Sequence, residues 1–164
     1  MTWQSRIVSH GALSLDDVLF HDLNWRIHTK EQQAALKTVL DTVGWVQDCI
    51  VSANSGKLLD GHLRVILAER NGETEVPCVF VDVTAEEERI ILASLDTITG
   101  MAATDDEKLG DLLASIENED MAGLLRQIAE AEKVTPQRVE APLEEETRMV
   151  RCPECGAEFT PGVS

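Results

Sequence analysis

The chain has 164 residues, with 30 acidic against 14 basic side chains and a formal net charge of −16. That length suits one compact domain with a real core and room for an extension, and with no long apolar run and no charged-then-apolar leader a soluble, cytoplasmic protein without a membrane partner is expected. The charge argues against a broad grip on duplex nucleic acid, and four unevenly spaced cysteines argue against a disulfide scaffold.

In the first 23 residues the pattern predicts one strand, Arg6 to Val8, and then a strand entry or a helical turn from Leu15 to Leu19. In Asn24-Trp25-Arg26-Ile27-His28 the polar residues alternate with apolar ones, which puts Asn24, Arg26 and His28 on one side. An ordinary loop edge with Trp25 and Ile27 tucked into the core explains the same pattern. Thr29-Lys-Glu-Gln32 is a capping-box sequence, with Leu36, Val39, Leu40 and Val43 at helical spacing and Gly44 as the stop. Trp45 to Ser52 then predicts a strand, Asn54 to Lys57 a tight turn, and Leu58-Leu59 the returning strand of a hairpin.

That strand enters Asp60-Gly61-His62-Leu63-Arg64, an abrupt change from strand to helix. Glycine lets the backbone bend and be approached closely, and the helix start offers amides and a positive dipole end to an anion. Arg64 stands one turn in, where a guanidinium forks onto phosphate oxygens, while Asp60 and His62 flank the turn with groups that bind metal, ribose or water. The plainer alternative is a turn and nothing more.

The corner helix is expected to end at Asn71-Gly72, with Leu63, Ile66 and Leu67 as its buried stripe. A strand from Val76 to Val83 follows, with Pro77 fitting an edge or first-residue position. A second capping box, Thr84 to Glu87, opens a helix carrying Ile90, Ile91 and Leu95, and two amphipathic helices follow from Thr104 and around Met121 to Ile128. Cys49 and Cys78 read as core thiols. Residues 134 to 150 form an acidic, proline-containing linker, and Cys152-Pro-Glu-Cys155-Gly supplies two of the four thiolates a structural zinc site needs. The missing half comes from a second chain, from a distant histidine, or from nowhere.

The acidity sits late: residues 1 to 83 hold 11 acidic and 7 basic side chains, residues 84 to 146 hold 17 and 5. A local basic face of Arg26, Lys30 and Arg64 is therefore compatible with the overall charge. No repeat, P-loop, serine elbow or His-Glu-x-x-His motif is present.

Taken together, Asn24 to His28, the helix to Gly44, the Ile50-Val51 strand, Leu59 to Arg64 with Ala68 and Gly72, and Val76-Pro77 with Val79 to Val83 resemble the N-terminal domain of the ParB family, the ParB/sulfiredoxin fold, over roughly residues 5 to 95. The closest style is that of the short ParB-like proteins of bacteriophages and actinobacteria, some of which stand beside DNA methyltransferases. The resemblance implies an α+β fold, a small mixed sheet with packed helices, and a nucleotide phosphate at the Gly61 helix start. Chromosome-partition members carry Gly-Glu-Arg-Arg where this chain has Gly61-His62-Leu63-Arg64, which puts CTP hydrolysis and a DNA-clamp cycle in doubt. Sulfiredoxins carry Gly-Cys-His-Arg, and His62 fills the nucleophilic Cys position, which excludes sulfinic acid repair, since neither Cys49 nor Cys78 is near the corner in sequence. No basic recognition helix follows.

The expected organisation is a nucleotide-binding domain at 1–95, a helical extension at 96–133, an acidic linker at 134–150 and a flexible Cys-x-x-Cys tail at 151–164. The leading functional expectation is a nucleotide-binding accessory or regulatory protein of phage or bacterial DNA metabolism, acting in modification, partition or transcription. Asn24, Arg26, Asp60, Gly61, His62 and Arg64 would line its site, and CTP or ATP with Mg²⁺ would be its ligand. One alternative is a metal-dependent nuclease or kinase with His62 or Asp60 as base or metal ligand. Another is a non-catalytic adaptor acting through the acidic helices and tail. DNA binding by the protein alone is expected to be weak, and a methyltransferase partner, a homodimer and zinc held by Cys152 and Cys155 complete the expectations.

Overall fold

A computed structural model describes residues 2–133, 150–151 and 158–159. Residues 134–149 of the expected linker, and Cys152 and Cys155, lie outside the described residues. Five strands form one mixed sheet in the order β1-β5-β3-β4-β2: β1 (Ile7–Ser14), β2 (Leu19–Phe20), β3 (Cys49–Ser52), β4 (Lys57–Asp60) and β5 (Glu75–Val81). β3 and β4 form the expected hairpin, β5 runs parallel to β3, and β1 lies antiparallel along the outer side of β5. Residues Leu15–Asp17 take the helical-turn option, as a single 3-10 turn. The helices are α1 (Lys30–Val43), α2 (His62–Asn71), α3 (Ala85–Thr99), α4 (Asp106–Ala114) and α5 (Glu119–Lys133). Val150–Arg151 and Glu158–Phe159 pair as a small separate ladder, β6 with β7. No helix among the described residues is long and apolar enough to cross a membrane.

Strand alternation sends Leu58 to one face of the sheet and Leu59 to the other. Leu58 joins Cys49, Val51, Val76 and Cys78 under Val65 and Ala68 of α2, while Leu59 joins Val81, Val83 and Leu92 of α3. The corner between β4 and α2 therefore lies where the two half-cores meet. On α2 the buried stripe is Leu63, Val65, Leu67 and Ala68 rather than one running through Ile66, which is half-exposed.

Four sequence expectations shift. Thr29 caps α1 by accepting from the Gln32 amide, but the Gln32 side chain turns to His28, so the reciprocal half of that box is absent. The Thr84 and Glu87 box closes in both directions. Pro77 lies in an inner strand, not at an edge; β5 is bonded to β3 only from Cys78 onward, so the strand is still one-sided at Pro77, which is the pairing proline tolerates. α3 turns Glu88 and Leu92 inward and leaves Ile90 exposed. Burial pushes the Glu88 carboxyl up, and hydrogen bonds from Ser52, Ser55 and His21 outweigh it and hold it below its ordinary range. These bonds tie α3 to the hairpin. α3 runs beyond residue 95, where the first domain was expected to end, to Thr99, and this carries Asp96 into the neighbourhood of the corner.

Candidate functional site

The corner itself is shaped by one backbone torsion and one steric limit. Gly61 has φ +94°, and a Cβ placed on it would stand 2.6 Å from the Cys49 sulfur and 3.2 Å from Arg64 Nη2. No side chain caps α2, and no acidic residue occupies its first turn. The dipole end therefore faces a cleft of about 180 Å³, lined by Arg26, His28, Gln32, Leu36, Gln47, Asp60, Gly61, His62, Leu63, Arg64 and Asp96.

Arg64 lies along the floor. Its Nη2 donates to Asp60 Oδ2 at 2.8 Å and to the Asp48 carbonyl at 3.4 Å, and its Nη1 donates to Gln47 Oε1 at 3.0 Å. Arg26 is paired with Asp96 and lies 3.9 Å from Asp60 Oδ1, with its guanidinium 5.3 Å from the centre of the Trp25 ring. The Trp25 indole donates to the Leu92 carbonyl at 3.0 Å, which fastens this strand-like segment to α3. The loop-edge explanation of Asn24 to His28 is thereby overturned. Trp25 is 60% and Ile27 92% exposed, while Arg26 and His28 turn inward and line the cleft.

His62 is 4% exposed, with its ring 5.7 Å from that of Phe20. Its pKa is held down to about 4: burial is the main cause, Asp60 opposes it, and Arg26 and His28 add to it. The ring is neutral at pH 7. Among the described residues, three buried side-chain nitrogens have no hydrogen-bond partner: His28 Nε2, His62 Nε2 and Arg64 Nε. All three belong to residues lining this one cleft. Buried polar atoms are normally paired, so three unpartnered nitrogens on residues of one cleft set this region apart.

The titration of His62 has a measurable cost. An unfolded histidine titrates near 6.5 and this one near 4, so as pH falls through 6.5 the unfolded chain takes up the proton first and the native state loses stability. By pH 5 the loss reaches about 2 kcal/mol. Urea unfolding at pH 7 and pH 5 is expected to show this drop in the wild type and a clearly smaller one in His62→Gln; equal drops would remove His62 as the cause.

Of the residues expected at the site, Arg26, Asp60, Gly61, His62 and Arg64 line the cleft. Asn24 does not: its side-chain oxygen accepts from the Arg26 amide at 3.3 Å, a local turn that aims Arg26. Lys30 opens α1 and is not among the lining residues, and both arginines are matched by carboxylates, so the expected basic face is neutralised. Cys49, distant in sequence, lies directly beneath the corner in space, which removes sequence distance as the ground for excluding a cysteine there. It is wholly buried, with its thiol pKa lowered by the Cys78 thiol and Arg64, while the Cys78 thiol is raised by Cys49 and by burial. Sequence reasoning missed His28, Gln32, Leu36, Gln47, Leu63 and Asp96 as lining residues. Asp96 carried a signal, since it continues the inward stripe of Glu88 and Leu92 at four-residue spacing.

No protein-family model matches the sequence, and no curated protein matches it. The solved structures similar to the chain include ParB and sulfiredoxin structures. The C-terminally truncated chromosome-partitioning protein ParB from Caulobacter crescentus, complexed with CTP-gamma-S, is 16% identical at a TM-score of 0.44, over 52% of this chain and 49% of that one. A pNOB8-like ParB N-domain is 17% identical at 0.47, over 96% of this chain and 59% of the other. Sulfiredoxin from Arabidopsis thaliana is 17% identical at 0.44, over 52% and 98%. The chain thus matches less than two thirds of the length of either ParB structure.

Proposed function

We propose that the protein is a nucleotide-binding accessory or regulatory module and that the Gly61 cleft takes the phosphates of a nucleoside triphosphate. The observation that carries this reading is that three residues lining the cleft at the start of an uncapped helix, His28, His62 and Arg64, each carry a buried side-chain nitrogen without a partner. A polyphosphate supplies many acceptor oxygens in a small volume and suits the positive end of a helix dipole. The cleft, of about 180 Å³, is lined by two arginines, two histidines and two carboxylates, a polar setting for a phosphate group.

No group of three metal-ligating side chains occurs among the described residues. Mg²⁺ fits the donor set only as a companion of the ligand, since it is commonly held by one or two carboxylates together with substrate phosphates and water. In this reading Asp60 or Asp96 of the cleft would supply that carboxylate. A kinase or nuclease reading gains less support, because a histidine titrating near 4 is a weak base at neutral pH. The resemblance of the sequence to short ParB-like proteins supports a role in DNA metabolism. With a net charge of −16 and neutralised arginines, DNA contact in this reading is made through a partner such as a DNA methyltransferase.

Calorimetric titration with CTP, ATP, GTP and inorganic tripolyphosphate, with and without Mg²⁺, tests the reading. Saturable binding of at least one triphosphate below millimolar concentration is the expected result; no heat with any of them at millimolar concentration would refute it.

A further inference from the structure

We propose that Asp96 is an internal counter-ion that occupies Arg26 in the ligand-free protein and sets the affinity of the cleft for phosphate by competing for that guanidinium. The inference rests on the cleft being an anion site, and it adds the residue that regulates it.

The charges at the site cancel. Arg26 and Arg64 face Asp60 and Asp96, and His62 is neutral. An incoming polyanion therefore has to exchange one carboxylate for itself, and the two carboxylates are unequal. Asp60 has a side chain only 16% exposed, stands at the end of β4 and touches both arginines, so it belongs to the frame of the corner. Asp96 is 54% exposed and pairs with Arg26 alone. Its carboxylate regains water as soon as it lets go, so it is the cheaper of the two to displace.

Arg26 keeps its aim when Asp96 leaves. The Trp25 ring lies against the guanidinium, the Trp25 indole is anchored to the Leu92 carbonyl, and the Asn24 turn fixes the backbone. None of these contacts uses Asp96. The arrangement favours a ligand whose several oxygens outbid one carboxylate, which is a polyphosphate in preference to a lone small anion.

The test is calorimetric titration of the full-length chain with inorganic tripolyphosphate at a fixed ionic strength of about 0.1 M. Asp96→Asn removes the charge and keeps the shape, and it is expected to bind about three- to tenfold more tightly than wild type, the range set by loss of one half-exposed ion pair and one repulsive charge. Asp96→Glu is expected to stay within about twofold of wild type. Glu86→Gln changes the same charge on the same helix outside the cleft lining and is expected to change affinity less than about twofold. Wild-type binding that Asp96→Asn leaves unchanged or weakens overturns the counter-ion role and spares the anion site. An equal gain in Glu86→Gln overturns it as well, by assigning the effect to net charge. Absence of binding in wild type and Asp96→Asn alike overturns both.

Discussion

Gly61→Ala is expected to lower stability by about 2–5 kcal/mol, the sum of forcing a side chain into a left-handed conformation at roughly 1–2 kcal/mol and of overpacking at roughly 1–3 kcal/mol. At φ +94° the added methyl meets the Cys49 sulfur at 2.6 Å and the Cys49 Cβ at 3.1 Å, and Cys49 is wholly buried between strands that cannot retreat without opening the core. For a small domain with a total stability of about 5–15 kcal/mol this is a large fraction, expected to appear as a fall in Tm of roughly 10 °C. The two causes separate in a Cys49→Ala background. Removing the sulfur relieves the crowding and leaves the torsional strain, so the glycine substitution is expected to cost at least about 1 kcal/mol less there. Paired chemical denaturation of the four proteins measures it. An identical cost in both backgrounds would show that the sulfur is no obstacle and would leave the backbone angle and the Cys49 Cβ and Arg64 contacts as what requires Gly61.

The same contact shows what a sequence discloses and what it withholds. That Gly61 ends a strand and starts a helix was legible, because the run Leu58-Leu59 changes period at Asp60 and polar turn residues precede it. The α+β character, the hairpin and the helices from Thr29 and Thr84 were legible for the same reason: each carries its own cap, stop or alternation. That Cys49 underlies Gly61 was not, since this contact depends on the register of β3 with β4, where Ile50 pairs with Asp60 and a register shift falls between Ile50 and Val51. Pro77 shows the same limit. A proline's tolerance depends on where a neighbouring strand begins, which no local pattern states.

The site divides along the same line. Arg26, Asp60, His62 and Arg64 stood out because polar groups flanked a turn or alternated with Trp25 and Ile27. Their charge balance did not, because Asp96 arrives from a helix seventy residues beyond Arg26. The alternation at Asn24 to His28 was visible, but its direction was not. It needed the Trp25 indole bonded to α3 to show that the apolar residues face out and the polar ones in.

Arg64 is expected to be both a structural and a binding residue, and its two variants separate the roles. The head group is mostly buried and holds Asp60, Gln47 and the Asp48 carbonyl, so Arg64→Ala leaves a half-buried Asp60 without its closest cation. That loss is expected to cost about 1–3 kcal/mol of stability in the ligand-free protein. Arg64→Lys keeps the charge beside Asp60 and loses the fork, so it is expected to retain most of the stability while binding phosphate less well. If the cleft binds a triphosphate, ligand at about one hundred times its dissociation constant is expected to stabilise the wild type by about 2.7 kcal/mol, a rise in Tm of roughly 5 °C or more for a chain of this size. The rise is expected to vanish in Arg64→Ala and to shrink in Arg64→Lys at the same ligand concentration. Arg64 Nε, buried and unpartnered, is the atom expected to take a phosphate oxygen, and lysine has no counterpart to it. If Arg64→Ala melts lower but shows the full ligand rise, the side chain holds the corner together and nothing more. The phosphates would then have to be placed on Arg26 and the α2 amides alone.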